Sequence, residues 1–339
     1  MEHPQERYAR LLYDNLIGRI NPANPDVRIS LSGAGVNWRC LVQFEARTSV
    51  THCFEHRGEE YLTIFKEIGE EIATARTQSS NATVEVVQGW INSEALSSLY
   101  DRFEFVDRQK RELSQIRDIV EGSAPDLRSS SELQYRGSGQ YCLWFRGATR
   151  SALIHFYGKE ESPRVICHWD ACELFAFRAD DVSLTSAVLR RWLCDGAAPS
   201  AMRKEFSWLS IGELANYYER GNPIEGEFIS SWDRIERFYD NEHFPPKSRV
   251  LQFVRQLRLA GYDRRFRAGQ SMWTLMLSRS RRHGLRDDQS CVMFEFSWDV
   301  DSMAVTVRNR AEQSTLIASV SVSDEIHSTL NRLLEIAVD

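Results

Sequence analysis

The chain has 339 residues, 42% of them apolar and 27% charged, and carries a net charge of −6. That mix belongs to an ordinary globular protein and excludes a disordered chain, as do nine tryptophans spread along it. No stretch approaches the roughly 18 apolar residues that a membrane span needs, the N-terminus lacks the basic start and apolar run of a secretory signal, and seven scattered cysteines fit reduced thiols better than disulfides. A cytoplasmic protein with no membrane partner is expected.

Taken in chain order, residues 8–20 place Leu11, Leu12, Leu16 and Ile20 at helical spacing before an Asn-Pro stop. VRISLSG, NWRCLVQFEA and VTHCFEHRG then alternate as an antiparallel meander. Residues 58–77 read as a helix with Tyr61, Leu62, Phe65, Ile68 and Ile72 on one face, and TVEVVQGWI as a strand. Helices follow at 93–100 and 107–120. EGSAPDLRSSS has the composition of a linker, so the length, which predicts two domains, is divided there: an N-terminal α+β domain at 1–122, a linker at 123–131, and a C-terminal α+β domain at 132–339.

Beyond the linker, ELQYRG, QYCLWFRGA, SALIHFYG, RVICHWDA and ELFAF read as strands, and 182–193 as a helix. A helical segment is expected near 195–285. Asn222-Pro223-Ile224-Glu225 is a helix start, leading into a helix that buries Phe228, Trp232, Ile235 and Tyr239. Pro245-Pro246 stops it, and a second helix buries Val250, Leu251, Val254 and Leu257, with Gly261 as its C′ residue. Residues 271–283 are read as a helix too, because Arg281, Arg282 and His283 would oppose its dipole ahead of Gly284. SCVMFEFSW, MAVTVRN and TLIASVSV close the chain as strands, with a helix at 324–338. The expected fold class is therefore α+β: antiparallel sheets (meanders) with helices packed on one face, plus the helical segment. Strands followed by a helix recur near 26–77, 131–194 and 290–338 with no residue pattern in common, a hint of related modules.

Residues 249–286 stand out by charge. They hold ten arginines and one acid, Asp263, so the other residues of the chain sum to −15. Guanidinium groups bind phosphates and carboxylates bidentately and stay charged. The expected function is that of a non-catalytic binding or regulatory protein that docks on a polyanion, such as nucleic acid or a nucleotide, or on an acidic protein partner. Its binding residues would be Arg264, Arg265, Arg267, Arg279, Arg281, Arg282, Arg286 and Trp273, with Tyr262 and Phe266 as further stacking surfaces. The competing reading pairs these arginines internally, with Asp233, Glu236 and Asp240 of the preceding helix.

Other constellations are weaker. His52, Cys53, His56 and Cys40, or Cys167, His168 and Cys172, offer zinc-ligand chemistry, but strand neighbours point to opposite faces. YRGSGQY and LSGAGVNW read as hairpin turns, and IGELANYYERGNPIEGEFISSW departs from helix-turn-helix spacing. No nucleophile elbow is present. No metal or other cofactor is expected, and the sequence leans away from an enzyme. The alternative is an enzyme acting on an anionic substrate in an interdomain cleft gripped by arginines such as Arg146 or Arg150.

Overall fold

The computed structural model describes residues 3–20, 22, 24–55, 58–137, 140–157, 162–241, 247–281, 289–297, 302–308 and 313–338. The chain divides into two compact units, Met1–Ala197 and Ala198–Asp339. Among the described residues the strands form three five-stranded antiparallel sheets, each a meander in chain order. With the helices around them they make an α+β fold, as the sequence leads one to expect.

The first unit begins with α1 (Pro4–Ile20) and the strands β1 (Arg28–Ala34), β2 (Asn37–Phe44), β3 (Arg47–Glu55), β4 (Glu59–Glu67) and β5 (Glu70–Thr77), followed by α2 (Ser80–Ile91) and α3 (Leu96–Arg102). Alternation turns Cys40, Val42, Cys53, Tyr61 and Phe65 to one face. There they pack with Leu12 and Leu16 of α1 and with Val84, Val87 and Trp90 of α2. A second set follows: α4 (Arg108–Ser123), β6 (Ser131–Gly137), β7 (Gln140–Arg146), β8 (Arg150–His155), β9 (Arg164–Trp169), β10 (Cys172–Arg178) and α5 (Val182–Leu189), which ends in a π-turn at Arg190–Cys194. Asp107, just before α4, hooks the two sets together. Its carboxylate accepts from the Thr74 N–H at 2.8 Å and the Tyr100 hydroxyl at 2.7 Å, and its own N–H donates to Thr74 O at 2.7 Å.

The second unit contains α6 (Pro199–Glu205), α7 (Glu213–Glu219), α8 (Pro223–Asn241) and α9 (Lys247–Leu259), then β11 (Arg267–Ser271), β12 (Thr274–Ser278), β13 (Cys291–Phe296), β14 (Ser302–Arg308), β15 (Gln313–Ser319) and α10 (Asp324–Leu334). Its core joins Trp232 and Tyr239 of α8, Val254 and Leu257 of α9, and Ile326 and Leu330 of α10 to Leu275, Leu277, Val292, Phe294 and Val305 on one face of the sheet. Each sheet is thus preceded and followed by a helix, and the recurrence hinted at in the sequence is a helix, five strands and a helix, three times over.

Three stretches depart from the sequence reading. Residues 58–77 form β4 and β5, not a helix. Tyr61, Thr63 and Phe65 alternate inward, and Ile68, expected inside, sits on the turn at φ 52° and is 84% exposed. TVEVVQGWI belongs to α2: the Ser79 hydroxyl accepts from Ala82 N–H at the N-cap, and Val84, Val86, Val87, Trp90 and Ile91 are all buried, so packing on several sides overrides the β preference of the valines. Within 271–283, β12 replaces the expected helix, joined to β11 by a tight turn with Met272 at φ 51°. Pro245-Pro246, His283 and Gly284 lie outside the described residues.

The stretch 123–131 lies inside the first unit. Its serines cap local turns, with the Ser123 hydroxyl donating to Val120 O at 3.0 Å and that of Ser130 to Leu127 O at 2.8 Å, and Leu127 is buried. No described helix is long and apolar enough to cross a membrane, and all seven cysteines are free thiols.

Candidate functional site

The arginine-rich window is built on α8, because that helix supplies the carboxylates that meet it. Asp233 and Glu236 lie one turn apart on the flank of α8 that faces α9. Arg258 of α9 reaches both, at 2.9 and 2.8 Å, and also Asp263 at 3.3 Å, while Arg255 stands 3.7 Å from Glu236. The flanking carboxylates raise the Arg258 pKa although burial opposes them. This is the internal pairing with the preceding helix that the sequence offered as the competing reading, and it neutralises the α9 end of the window.

A second group surrounds Glu227, which is only 3% exposed. Gly226 lets α8 close on α7, since a Cβ there would stand 2.4 Å from Tyr217 Cβ, and the next α7 residue, Tyr218, donates its hydroxyl to Glu227 Oε1. Arg281 donates to the same oxygen from Nε at 2.9 Å and contacts the Tyr218 hydroxyl at 3.3 Å. Arg267 Nη1 lies 3.9 Å from Glu227 Oε2 and donates to the Arg281 carbonyl. The carboxylate and the tyrosine raise the Arg281 pKa against its own desolvation. Ser231 and Trp232, one turn along α8, fasten the start of β11 beside this group: Ala268 N–H donates to Ser231 Oγ at 2.9 Å and Trp232 Nε1 to Phe266 O at 2.8 Å.

The third group has a different character. Arg264 is 67% exposed by side chain and meets Glu225 at 3.3 Å. Arg265 is exposed. Arg279 is anchored by carbonyl oxygens alone, donating from Nε to Ile336 O and from Nη1 to Arg265 O, both at 2.9 Å. Its pKa is lowered by burial and then by the positive charge of Arg265. Among the described residues neither Arg265 nor Arg279 has a carboxylate partner. Two neighbouring like charges raise the local positive potential.

Compared with the known protein families and with curated protein sequences, the chain matches none.

The remaining candidates separate clearly. Tyr262 and Phe266 are core residues, not stacking surfaces: both are buried, and the Tyr262 hydroxyl pairs with His327 Nδ1 at 2.8 Å. Trp273, on the β11–β12 turn, is half-buried against the core with its ring 6.2 Å from Phe238. Arg282 and Arg286 lie outside the described residues. Cys53 is buried with the core face of β3, whereas His52 stacks on Phe54 at 6.3 Å. Cys167 is fully buried, and the ring of its neighbour His168 lies 5.7 Å from that of Trp144. Among the described residues no three His, Cys, Asp or Glu side chains gather as metal ligands.

Arg150 was legible as a cation but not as what it is. It is 9% exposed, sits in the corner formed by the edge-to-face rings of Trp169 and Trp192, 4.0 and 4.1 Å from their centroids, and donates to Trp192 O at 3.1 Å and Ala197 O at 2.8 Å. Desolvation lowers its pKa. Glu227 was overlooked too, although one signal existed: it lies four residues before Ser231 and one before Phe228, a carboxylate on the buried stripe of α8.

Proposed function

We propose that the chain is a non-catalytic binding protein of the cytoplasm, whose second unit docks an acidic protein surface through Arg264, Arg265 and Arg279. Arg282 and Arg286, next in sequence, would add to the charge. The observation that carries this reading is the juxtaposition of Arg265 and Arg279 with no carboxylate between them among the described residues. A cation pair of this kind gains by meeting an external anion, whereas Arg258 and Arg281 already hold theirs. Burial of Tyr262 and Phe266 removes two base-stacking surfaces, which favours a protein carboxylate over nucleic acid as the anion. Seven free thiols fit a reducing compartment.

The test uses two probes, a polyglutamate peptide and a single-stranded oligonucleotide, titrated into the full chain at low and at physiological salt. Polyglutamate should bind, weaken as salt rises, and lose at least about tenfold in affinity in the Arg264→Glu, Arg265→Glu, Arg279→Glu variant. Equal binding by the variant contradicts the proposal. Tighter, steeply salt-dependent binding of the oligonucleotide would replace the acidic protein with nucleic acid.

A further inference from the structure

An edge strand offers a row of unpaired backbone donors and acceptors, and proteins blunt such edges with charge, bulges or a covering element. The three sheets have six edges, and five are blunted. The β5 edge is covered where Ala75 pairs with Val106 and Thr74 with Asp107. The β11 edge begins at Arg267 and is fastened to α8 by Ser231. β6 carries Glu132, Arg136 and a register shift, β10 carries Glu173, Arg178 and a register shift, and β1 begins at Arg28.

Among the described residues β15 has none of these. Gln313–Ser319, sequence QSTLIAS, is uncharged, lacks proline, and pairs with β14 in unbroken register. Ile317 is 73% exposed on its outer face. On the core face, Leu316 and Ala318, with Val320 and Val322 beyond them, pack against the core yet stay only partly buried. The core of the second unit is open along this strand.

We infer that β15 is a self-association surface, pairing antiparallel with β15 of a second copy to join two five-stranded sheets into one of ten. A two-fold axis normal to the sheet keeps both core faces on the same side and must pass midway between a residue and its own copy, because side chains alternate. Centred on Leu316, it sets Leu316 against its own copy, Ser314 against Ala318 on the core face, and Thr315 against Ile317 on the outer face. Symmetric pairing brings the central residues, Thr315 to Ile317, close to their own copies, so a charge at the middle of β15 would meet its like. The neutral centre of the strand suits a second copy, whereas a foreign strand could equally have matched a charge there. The pairing also closes: the two outer edges of the joined sheet are both β11, each covered by α8, so association stops at two. This inference is independent of the arginine patch.

Sedimentation velocity of the full chain over a range of concentrations tests it. The wild type should form a dimer as concentration rises, and Ile317→Lys and Thr315→Lys should each remain monomeric where the wild type is dimeric. Ile68→Lys, which adds the same charge to an exposed turn of the first unit, should dimerise like the wild type. Thermal unfolding midpoints matching that of the wild type would show that both edge variants fold. A monomeric wild type at every concentration overturns the inference, and so does a dimer that survives both lysine substitutions.

Discussion

Arg150 of the first unit and Arg281 of the second are both withdrawn from solvent, and they are held by opposite means. Arg281 meets a buried carboxylate, with Tyr218 completing the coordination of Glu227. Arg150 is held in the corner of two edge-to-face indoles and by two backbone carbonyls. The difference lies in what each leaves behind when removed. Loss of Arg281 leaves Glu227 with only the Tyr218 hydroxyl and the more distant Arg267, whereas loss of Arg150 leaves two carbonyl oxygens and two indole faces without their cation.

The largest effect should follow Glu227→Ala, which leaves Arg281 and Arg267 facing each other over an empty, largely buried site. Breaking a buried pair from one side costs about 3–5 kcal/mol, and the lower end applies here because Arg281 keeps some exposure. Urea denaturation of the full chain checks it; an unchanged midpoint would mean that solvent satisfies the arginines. Arg281→Met should cost about 3 kcal/mol by the same reasoning. Arg150→Met, of similar volume and leaving no orphan charge, should cost only about 1–2 kcal/mol. If the two methionine variants were equally destabilised, the distinction between carboxylate and aromatic anchoring would fail.

The smallest effect separates the units by pH. Burial lowers the pKa of His52 and of His168, both in the first unit. Their unfolded forms take up a proton near pH 6.5, where the folded forms resist it. The stability of the first unit is therefore full above about pH 6.5 and falls as acidification passes below it toward the depressed folded values. Thermal melts between neutral and mildly acidic pH should record that loss, and replacing both histidines by glutamine should flatten the profile.

Much of the fold was legible because amphipathic alternation is strong where one sheet face is covered. β6 to β10 and β13 to β15 follow directly from residues such as Leu143, Phe145, Val165 and Cys167 alternating with half-buried ones. The signal failed where local rules were broken. Ile68 at positive φ hides the β4–β5 turn, and a valine-rich helix buried on several sides reads as a strand. Misreading β12 as a helix hid the third module, whose first two strands were left out of the recurrence. At the candidate site the sequence located the arginines but not their partners. Asp233 and Glu236 could be found on an exposed flank, whereas Glu227 sits on a stripe occupied by Phe228 and Trp232, where a carboxylate is not expected.

One run of arginines thus holds cations with carboxylate partners inside the fold, such as Arg258, and, in the proposed function, cations such as Arg265 that meet an outside anion. Two neutralising variants, Arg258→Met and Arg265→Met, each remove one positive charge from the same window and so change the net charge equally. Titrated with polyglutamate at low salt, Arg265→Met should bind several-fold more weakly than the wild type, and Arg258→Met should bind as the wild type does. Equal losses in the two variants would contradict the division and reduce the window to a diffuse basic charge.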